Sequence, residues 1–446
     1  MLKIQSKVLW MVVCLVEVIW LLLSQTLGNM ILLVPCLAFF LAFVIWAALR
    51  GWAIPILLFF LPYASLLKFR PGTISIYTVA MLSVFLIYAV KGSKNISIKH
   101  FVPALCLIAL SLIIKTLYGY SIDNSYILFS AALLLAPLLQ RELGEKYDFY
   151  WLTLLFAMGI ITAALSARTL IIFPTITRYY IRMHQMIGGI RYSGFYGDPN
   201  FFSAHITTVL GGIFVIFLNQ PVRHRAITLV ALTSLLVYCG FMSVSKSFFL
   251  ILVVLILFWL IALLFAREKV TAKVAILLTL LVGVAFLLMS TAFTDMVGML
   301  LSRLRGNQSL SDLTTGRIDL WMQYLRAFTQ DPLLILFGKG FSNVLINERA
   351  SHNTILQIVF QFGLLGGVML LVWMVYYVRN LMLGAKEAWY NLTQLSILLI
   401  GAFGPWMALD MLFFDEFFLM PIYLCLGVLF LARQGEAKAV DMEIKP

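Results

Sequence analysis

The stretch Phe248–Ala266, FFLILVVLILFWLIALLFA, carries no charge, and its one polar hydrogen is the Trp259 indole N–H. As a helix rising about 1.5 Å per residue it would reach roughly 28 Å, close to the ~30 Å of a bilayer's hydrocarbon core. A helix also satisfies its own backbone hydrogen bonds, which hydrocarbon cannot do for it. Comparable apolar runs recur at 8–23, 30–49, 52–67, 73–90, 101–117, 125–139, 150–173, 200–218, 226–242, 273–292, 353–378, 393–409 and 413–431. The expected fold is therefore an all-α polytopic membrane protein with about 12–14 transmembrane helices and a long loop before residue 351.

Composition agrees. Hydrophobic residues make up 63% of the 446 and charged residues 11%, with a mean hydropathy of +1.01. Soluble domains carry about 25% charged residues, so a water-soluble core is excluded. The cysteines, Cys14, Cys36, Cys106, Cys239 and Cys425, all fall in apolar runs and read as small hydrophobes rather than disulfides or metal ligands. The first run lacks a small-residue cleavage site and reads as an uncleaved span.

Charge placement gives an orientation. With the N-terminus cytoplasmic, the inner loops carry Lys3, Lys7, Arg50, Lys91, Arg141, Arg223, Arg267 and Arg379, among others, whereas the short outer loops hold little beyond Lys68, Arg70 and Lys246. Both termini are then expected inside, in a multi-pass membrane protein. Two long outer segments break the bias. One holds Arg178, Arg182 and Arg191; the other holds Arg303, Arg305, Arg317, Arg326, Lys339 and Arg349. Arginine offers a planar fork matched to phosphate oxygens and keeps its charge at low dielectric, so an anionic, lipid-linked substrate on the outer face fits this enrichment.

Three polar motifs interrupt the apolar pattern. Arg191-Tyr192-Ser193-Gly194 runs to Asp198-Pro199-Asn200, where Asp198 suits a helix N-cap and Pro199 the first helical position, presenting free N–H groups to an anion. Ser351-His352-Asn353 opens a later helix, with Ser351 as the expected cap. A lone histidine is more often structural, but at a helix N-terminus the dipole and nearby arginines favour a neutral imidazole that can accept a proton. His184, in the same outer segment as Arg191, is the rival base. Thr315-Gly316-Arg317 precedes Trp321, a spacing expected of an amphipathic helix on the membrane surface, with Trp321 as an interface anchor. The scattered outer carboxylates show no metal-ligand spacing, and neither a phosphate-binding loop nor a nucleophile elbow occurs. No metal or cofactor is expected, and arginines would hold a diphosphate.

Across Arg191 to Val378, the order of these fragments resembles the bacterial O-antigen ligase and O-antigen polymerase superfamily. The resemblance rests on Arg191, Gly194, Asp198 to Asn200, Thr315-Gly316-Arg317, Trp321, Gly338, Gly340, His352-Asn353, Leu356-Gln357 and Gly363-Leu364-x-Gly366. Where this family often has a Ser-Arg pair in a tight inter-helical turn, the chain has Ser245-Lys246, which preserves charge without the bidentate fork. The resemblance implies a GT-C-like bundle in three parts: N-terminal spans at 1–173, a catalytic region at 174–378 with outer loops 174–199 and 295–351, and C-terminal spans with a tail at 379–446. It implies a glycosyltransferase that moves a glycan from an undecaprenyl-diphosphate carrier to an acceptor hydroxyl with inversion. His352 would be the base, and Arg191 and Arg317 would stabilise the leaving diphosphate. Arg303, Arg305, Lys246, Asn200, Asn353 and His184 are the further binding candidates.

The modest outer loop favours polymerisation of repeat units over ligation to a lipid A core. The expected partners are the carrier-linked donor, a glycan or lipid-linked acceptor and the bilayer; no nucleic acid is expected. The alternative of another class is a flippase for the same lipid-linked glycan, which would need midplane polar residues and repeated halves. The chain shows no repeat and offers few such residues, namely Glu17, Lys115 and Arg168.

Overall fold

The computed structural model describes residues 2–92, 99, 101–139, 148–181, 184–186, 189–219, 226–265, 294–295, 297–299, 301–302, 314, 316–341, 346, 349–381 and 392–443. Its architecture is that of an all-α polytopic membrane protein. Among the described residues seven helices are long and apolar enough to cross a bilayer: Lys7–Leu27, Met30–Arg50, Phe149–Ile172, Pro199–Asn219, Lys246–Leu264, Thr354–Arg379 and Glu416–Arg433. Shorter apolar helices fall at Ala53–Tyr63, Ile76–Lys91, Val102–Leu117, Asn124–Leu138, Ile227–Met242 and Leu392–Met407. Each coincides with an expected span; the run 273–292 lies outside the described residues.

In chain order the helices used below are α1 (Leu2–Leu27), α2 (Met30–Arg50), α3 (Ala53–Phe60), α4 (Ile76–Gly92), α5 (Val102–Leu117), α6 (Asn124–Leu135), α7 (Phe149–Thr169) and α8 (Pro174–Tyr179). A hairpin of β1 (His184–Met186) and β2 (Gly189–Arg191) follows, where the sequence reads as plain loop. Then come α9 (Pro199–Asn219), α10 (Ala226–Met242), α11 (Lys246–Phe265), α12 (Arg317–Gln330), α13 (Pro332–Phe337), α14 (Thr354–Leu381), α15 (Leu392–Phe403) and α16 (Glu416–Glu443).

The centre of the bundle is α9, buried from Phe201 to Leu218. Its close neighbour α15 approaches through small residues. A Cβ on Gly401 would meet the Thr207 carbonyl at 2.8 Å, and one on Gly211 the Ile397 carbonyl at 3.0 Å. Thr207 and Thr208 both direct their hydroxyls at the Gly401 carbonyl at 3.2 Å. Small side chains and hydroxyl contacts are what helix pairs use where no hydrophobic effect drives them together. The starts of α9, α12 and α14 are consequently held at one end of the bundle, with the 61–75, 118–124 and 404–415 connections around them. Pins across this end include Ser65 Oγ to the Phe195 carbonyl at 2.6 Å and Thr78 Oγ1 to Asp415 Oδ2 at 2.9 Å.

The long apolar run of α14 is not a continuous helix. Gly363 has φ +66° and ψ −177°, which breaks the ladder. The segment Gly338-Lys339-Gly340 fills the gap: the Lys339 N–H donates to the Phe360 carbonyl at 2.9 Å and the Gly340 N–H to the Gln361 carbonyl at 2.8 Å. Carbonyls freed inside a membrane protein need such a partner. A Cβ on Gly363 would collide with the Leu336 and Phe337 backbone, and one on Gly338 with the Gln361 and Gly363 backbone. Around this splice, Leu320, Tyr324 and Phe328 of α12 and Leu334 of α13 bury themselves on Phe360. The amphipathic helix expected on the membrane surface therefore exists but packs on α14. Its apolar face carries Tyr324, whereas Leu325 is exposed.

Gly363→Ala is expected to lower the thermal midpoint of detergent-purified protein, since φ > 0 alone costs a non-glycine residue about 1–3 kcal/mol. Gly367→Ala in the same helix, where the nearest atom to a new Cβ is 3.8 Å away, should leave the midpoint unchanged. A pH test concerns Asp415, whose carboxyl is pushed up to about 7, first by burial and then by the Glu416 charge. An acid raised by folding stabilises the fold while protonated. That contribution is complete below the unfolded value near ~4 and is lost as pH rises towards 7. Asp415→Asn should accordingly flatten the decline in thermal midpoint over that window.

Candidate functional site

Three chain segments meet at the end of the bundle where α9, α12 and α14 begin. The first is β2 and the loop into α9. Arg191 donates Nε–H to the Ser243 carbonyl at 2.9 Å, and the Tyr192 N–H donates to the Met242 carbonyl at 3.0 Å, so the loop is tied to the turn between α10 and α11. Asp198 caps α9 by accepting from the Asn200 N–H at 2.7 Å, as its position before Pro199 suggests. Asn200 in turn accepts from Ser245 Oγ at 2.8 Å. Lys246, the first residue of α11, stands half-buried beside this contact. His184 lies opposite Arg191 in the hairpin register.

The second segment is the turn into α14. Asn353 is the cap here rather than Ser351: its Oδ1 accepts from the Ile355 and Leu356 N–H groups at 3.0 and 3.1 Å. Ser351 instead directs its hydroxyl at Asp410. The His352 N–H donates to Asp410 Oδ2 at 2.7 Å, and its Nδ1 lies 3.8 Å from the same oxygen. Thr354 and Gln357 then seat the Asp410 loop on α14. Thr354 Oγ1 donates to the Leu409 carbonyl at 2.6 Å and accepts from the Met411 N–H at 3.1 Å, while Gln357 Oε1 accepts from the Leu412 N–H at 3.2 Å. The imidazole remains 39% exposed and can meet a substrate.

The third segment is α12. Trp321 and Tyr324, three residues apart on one face, donate to the Ser351 and Arg349 carbonyls, each at 2.9 Å. Trp321 is thus a clamp on the His352 turn, where an interface anchor was expected. One helical turn earlier on that face, Arg317 is largely withdrawn from water. Burial lowers its pKa, and the charges of Asp198 and Asp410 act against that shift. The guanidinium therefore belongs to the first segment through Asp198 and to the second through Asp410.

Arg191, Asn200, Lys246, Arg317, His352 and Asn353 are brought to one end of the bundle by these contacts. Arg303, Arg305 and Thr315 lie outside the described residues. The sequence does not mark out Asp410, which is 58 residues from His352 and looks like one more outer-loop acid. The available signal was its position as the polar residue of a very short connection between two spans. A further mark is backbone strain. Among the described residues, Val244 and His352 are the non-glycine positions with positive φ, at +45° and +50°. Such conformations persist where surroundings overdetermine them, and they gather at working sites.

Residues 229–371 match the family model described as O-antigen ligase. That region is similar to O-antigen ligases. The matched stretch runs from α10 through the Val244 turn, α12 and the His352 turn into α14, in agreement with the superfamily resemblance of the sequence. Arg191 and Asp410 complete the cluster from either side of it. No curated protein matches the chain.

Asp410→Asn keeps the shape of the loop while removing a charged acceptor from Ser351 and His352. Hydrogen bonds to charged groups are worth about 1.5–3 kcal/mol, so glycan transfer is expected to fall roughly 10- to 150-fold. Trp321→Phe removes one neutral bond, and a smaller loss of about 2- to 10-fold is expected in the same assay.

Proposed function

We propose that this protein polymerises undecaprenyl-diphosphate-linked oligosaccharide repeat units into a surface polysaccharide, such as O-antigen, capsule or exopolysaccharide, by inverting glycosyl transfer at the extracytoplasmic face of the bacterial cell membrane. The observation that carries the reading is the half-buried Arg317, on which the charges of Asp198 and Asp410 act, with His352 bonded to the second of these carboxylates.

In this mechanism His352 takes the proton of the acceptor hydroxyl as its oxygen attacks the anomeric carbon from the side opposite the diphosphate. The bond from that carbon to the diphosphate oxygen breaks, and its electron pair leaves with the carrier. Arg191 and Arg317 meet the charge developing there, as guanidinium groups do well in a site withdrawn from water. Asp410 is a positioning residue: it holds the turn and favours the imidazolium formed, which afterwards returns its proton to water. The orientation is supported by the excess of Lys and Arg in the loops at the opposite end of the bundle. A flippase is disfavoured because its candidate polar residues serve helix contacts. Glu17 accepts from the Cys36 thiol, Lys115 donates to the Phe341 carbonyl and Arg168 to the Tyr238 hydroxyl.

The description of the matched family favours a second reading, ligation of the finished glycan to a lipid A core. Purified protein incubated with carrier-linked repeat units alone separates the two. A ladder of extended glycans supports polymerisation; product that forms only once core lipid is added supports ligation. His352→Ala should reduce either product by about 10²–10⁴-fold, the usual worth of a general base. Arg317→Ala should fall comparably, with insertion of both variants checked by size-exclusion profile. Full activity in the His352 variant would remove it as the base.

A further inference from the structure

A half-open cavity of about 350 Å3 lies beside the cluster, enclosed by the end of α3, the start of α4, the start of α6 and the two loops that carry Asp198 and Asp410. Those loops form a common wall. Asp198 and Asp410 act electrostatically on Arg317, whereas Tyr196, Phe201, Phe414 and Asp415 line the cavity. Packing of Phe201 with Leu409 and Met411, and of the Phe201 and Phe414 rings at 4.4 Å, holds the wall together.

The chemistry of the lining selects a ligand. Glu416, and Asp415 when ionised, outnumber Lys68 and disfavour a phosphate, and leaving carboxyl groups against a prenyl chain would strip them of water without return. Hydroxyl groups suit them as donors, with Thr78, Ser125 and Lys68 supplying further polar contacts. The aromatic rings offer flat apolar faces of the kind on which the C–H side of a sugar ring rests. Asp415 is held by Thr78 at 2.9 Å, and Glu416 lies 3.1 Å from Nε2 of the buried His205, whose other nitrogen bonds the Tyr196 hydroxyl. The size is at the lower end of the roughly 300–1,000 Å3 of ligand pockets and admits a short saccharide.

We infer that this cavity is a saccharide subsite, binding one or two sugar units of the glycan while the transfer chemistry occurs across the wall. This rests on the proposed glycan transfer for its substrate class, and the test separates the two. Full-length protein in nanodiscs is passed over a printed array of free bacterial mono- and disaccharides, beside Asp415→Asn and Ser125→Trp, the latter placing a bulky group at an exposed edge of the cavity. Wild type should bind at least one saccharide, with a tenfold or greater loss in both variants.

A second measurement avoids variants that fold poorly. In Ser125→Cys, the bound saccharide should slow alkylation of the new thiol by a maleimide at least tenfold, read by peptide mass. The inference is overturned if wild type binds no saccharide, if alkylation is unchanged by it, or if undecaprenyl phosphate protects the thiol and no sugar does. Saccharide protection in a protein that transfers no glycan would uphold the subsite and defeat the proposed function. Glycan transfer without any protection would do the reverse.

Discussion

A backbone carbonyl that loses its helical partner in hydrocarbon has no water to turn to, and the break in α14 at Gly363 creates that problem in a span otherwise suited to cross the bilayer. Gly338-Lys339-Gly340 answers it with two backbone bonds, to Phe360 and Gln361. Only glycines let the two chains come so close. The consequence reaches well beyond the splice, because α13 and α12 are carried with it and pack on Phe360. Arg317, Trp321 and Tyr324 thereby acquire their positions over the His352 turn. A loop helix is in this way given the rigidity of the membrane bundle, as a site with close geometric demands requires.

Electrostatics complete the arrangement. A guanidinium withdrawn from water needs opposite charge nearby, and Arg317 has it from two carboxylates on different loops. Each carboxylate also plays a second, structural part, for Asp198 caps α9 and Asp410 holds the Ser351-His352 turn. Loss of either would disturb charge and geometry together. The left-handed backbones at Val244 and His352 show that the surroundings hold these turns firmly enough to bear the strain.

The same two loops meet different chemistry on their two sides: Asp198 and Asp410 act on Arg317 of α12, while Tyr196, Phe201, Phe414 and Asp415 line the cavity. His205, although inside an apolar helix, lies beside this cavity, 3.1 Å from Glu416.

From the order of residues alone, the membrane class, the spans and the three polar motifs were legible, because apolar runs of membrane length and the residues that interrupt them are local signals. Asp198 as a cap was equally local. The cap of α14 was misassigned to Ser351, since Ser351 and Asn353 both suit a helix start and only the fold, by placing Asp410 beside Ser351, leaves the capping to Asn353. The break at Gly363 was hidden, as glycine occurs in intact membrane helices, and the partner that makes it tolerable lies on another segment. Asp410, the clamp by Trp321 and the acidic cavity likewise depend on contacts between residues far apart in the chain. Local chemistry named the guanidinium and imidazole groups; only tertiary packing brought them to one end of the bundle and supplied the carboxylates between them.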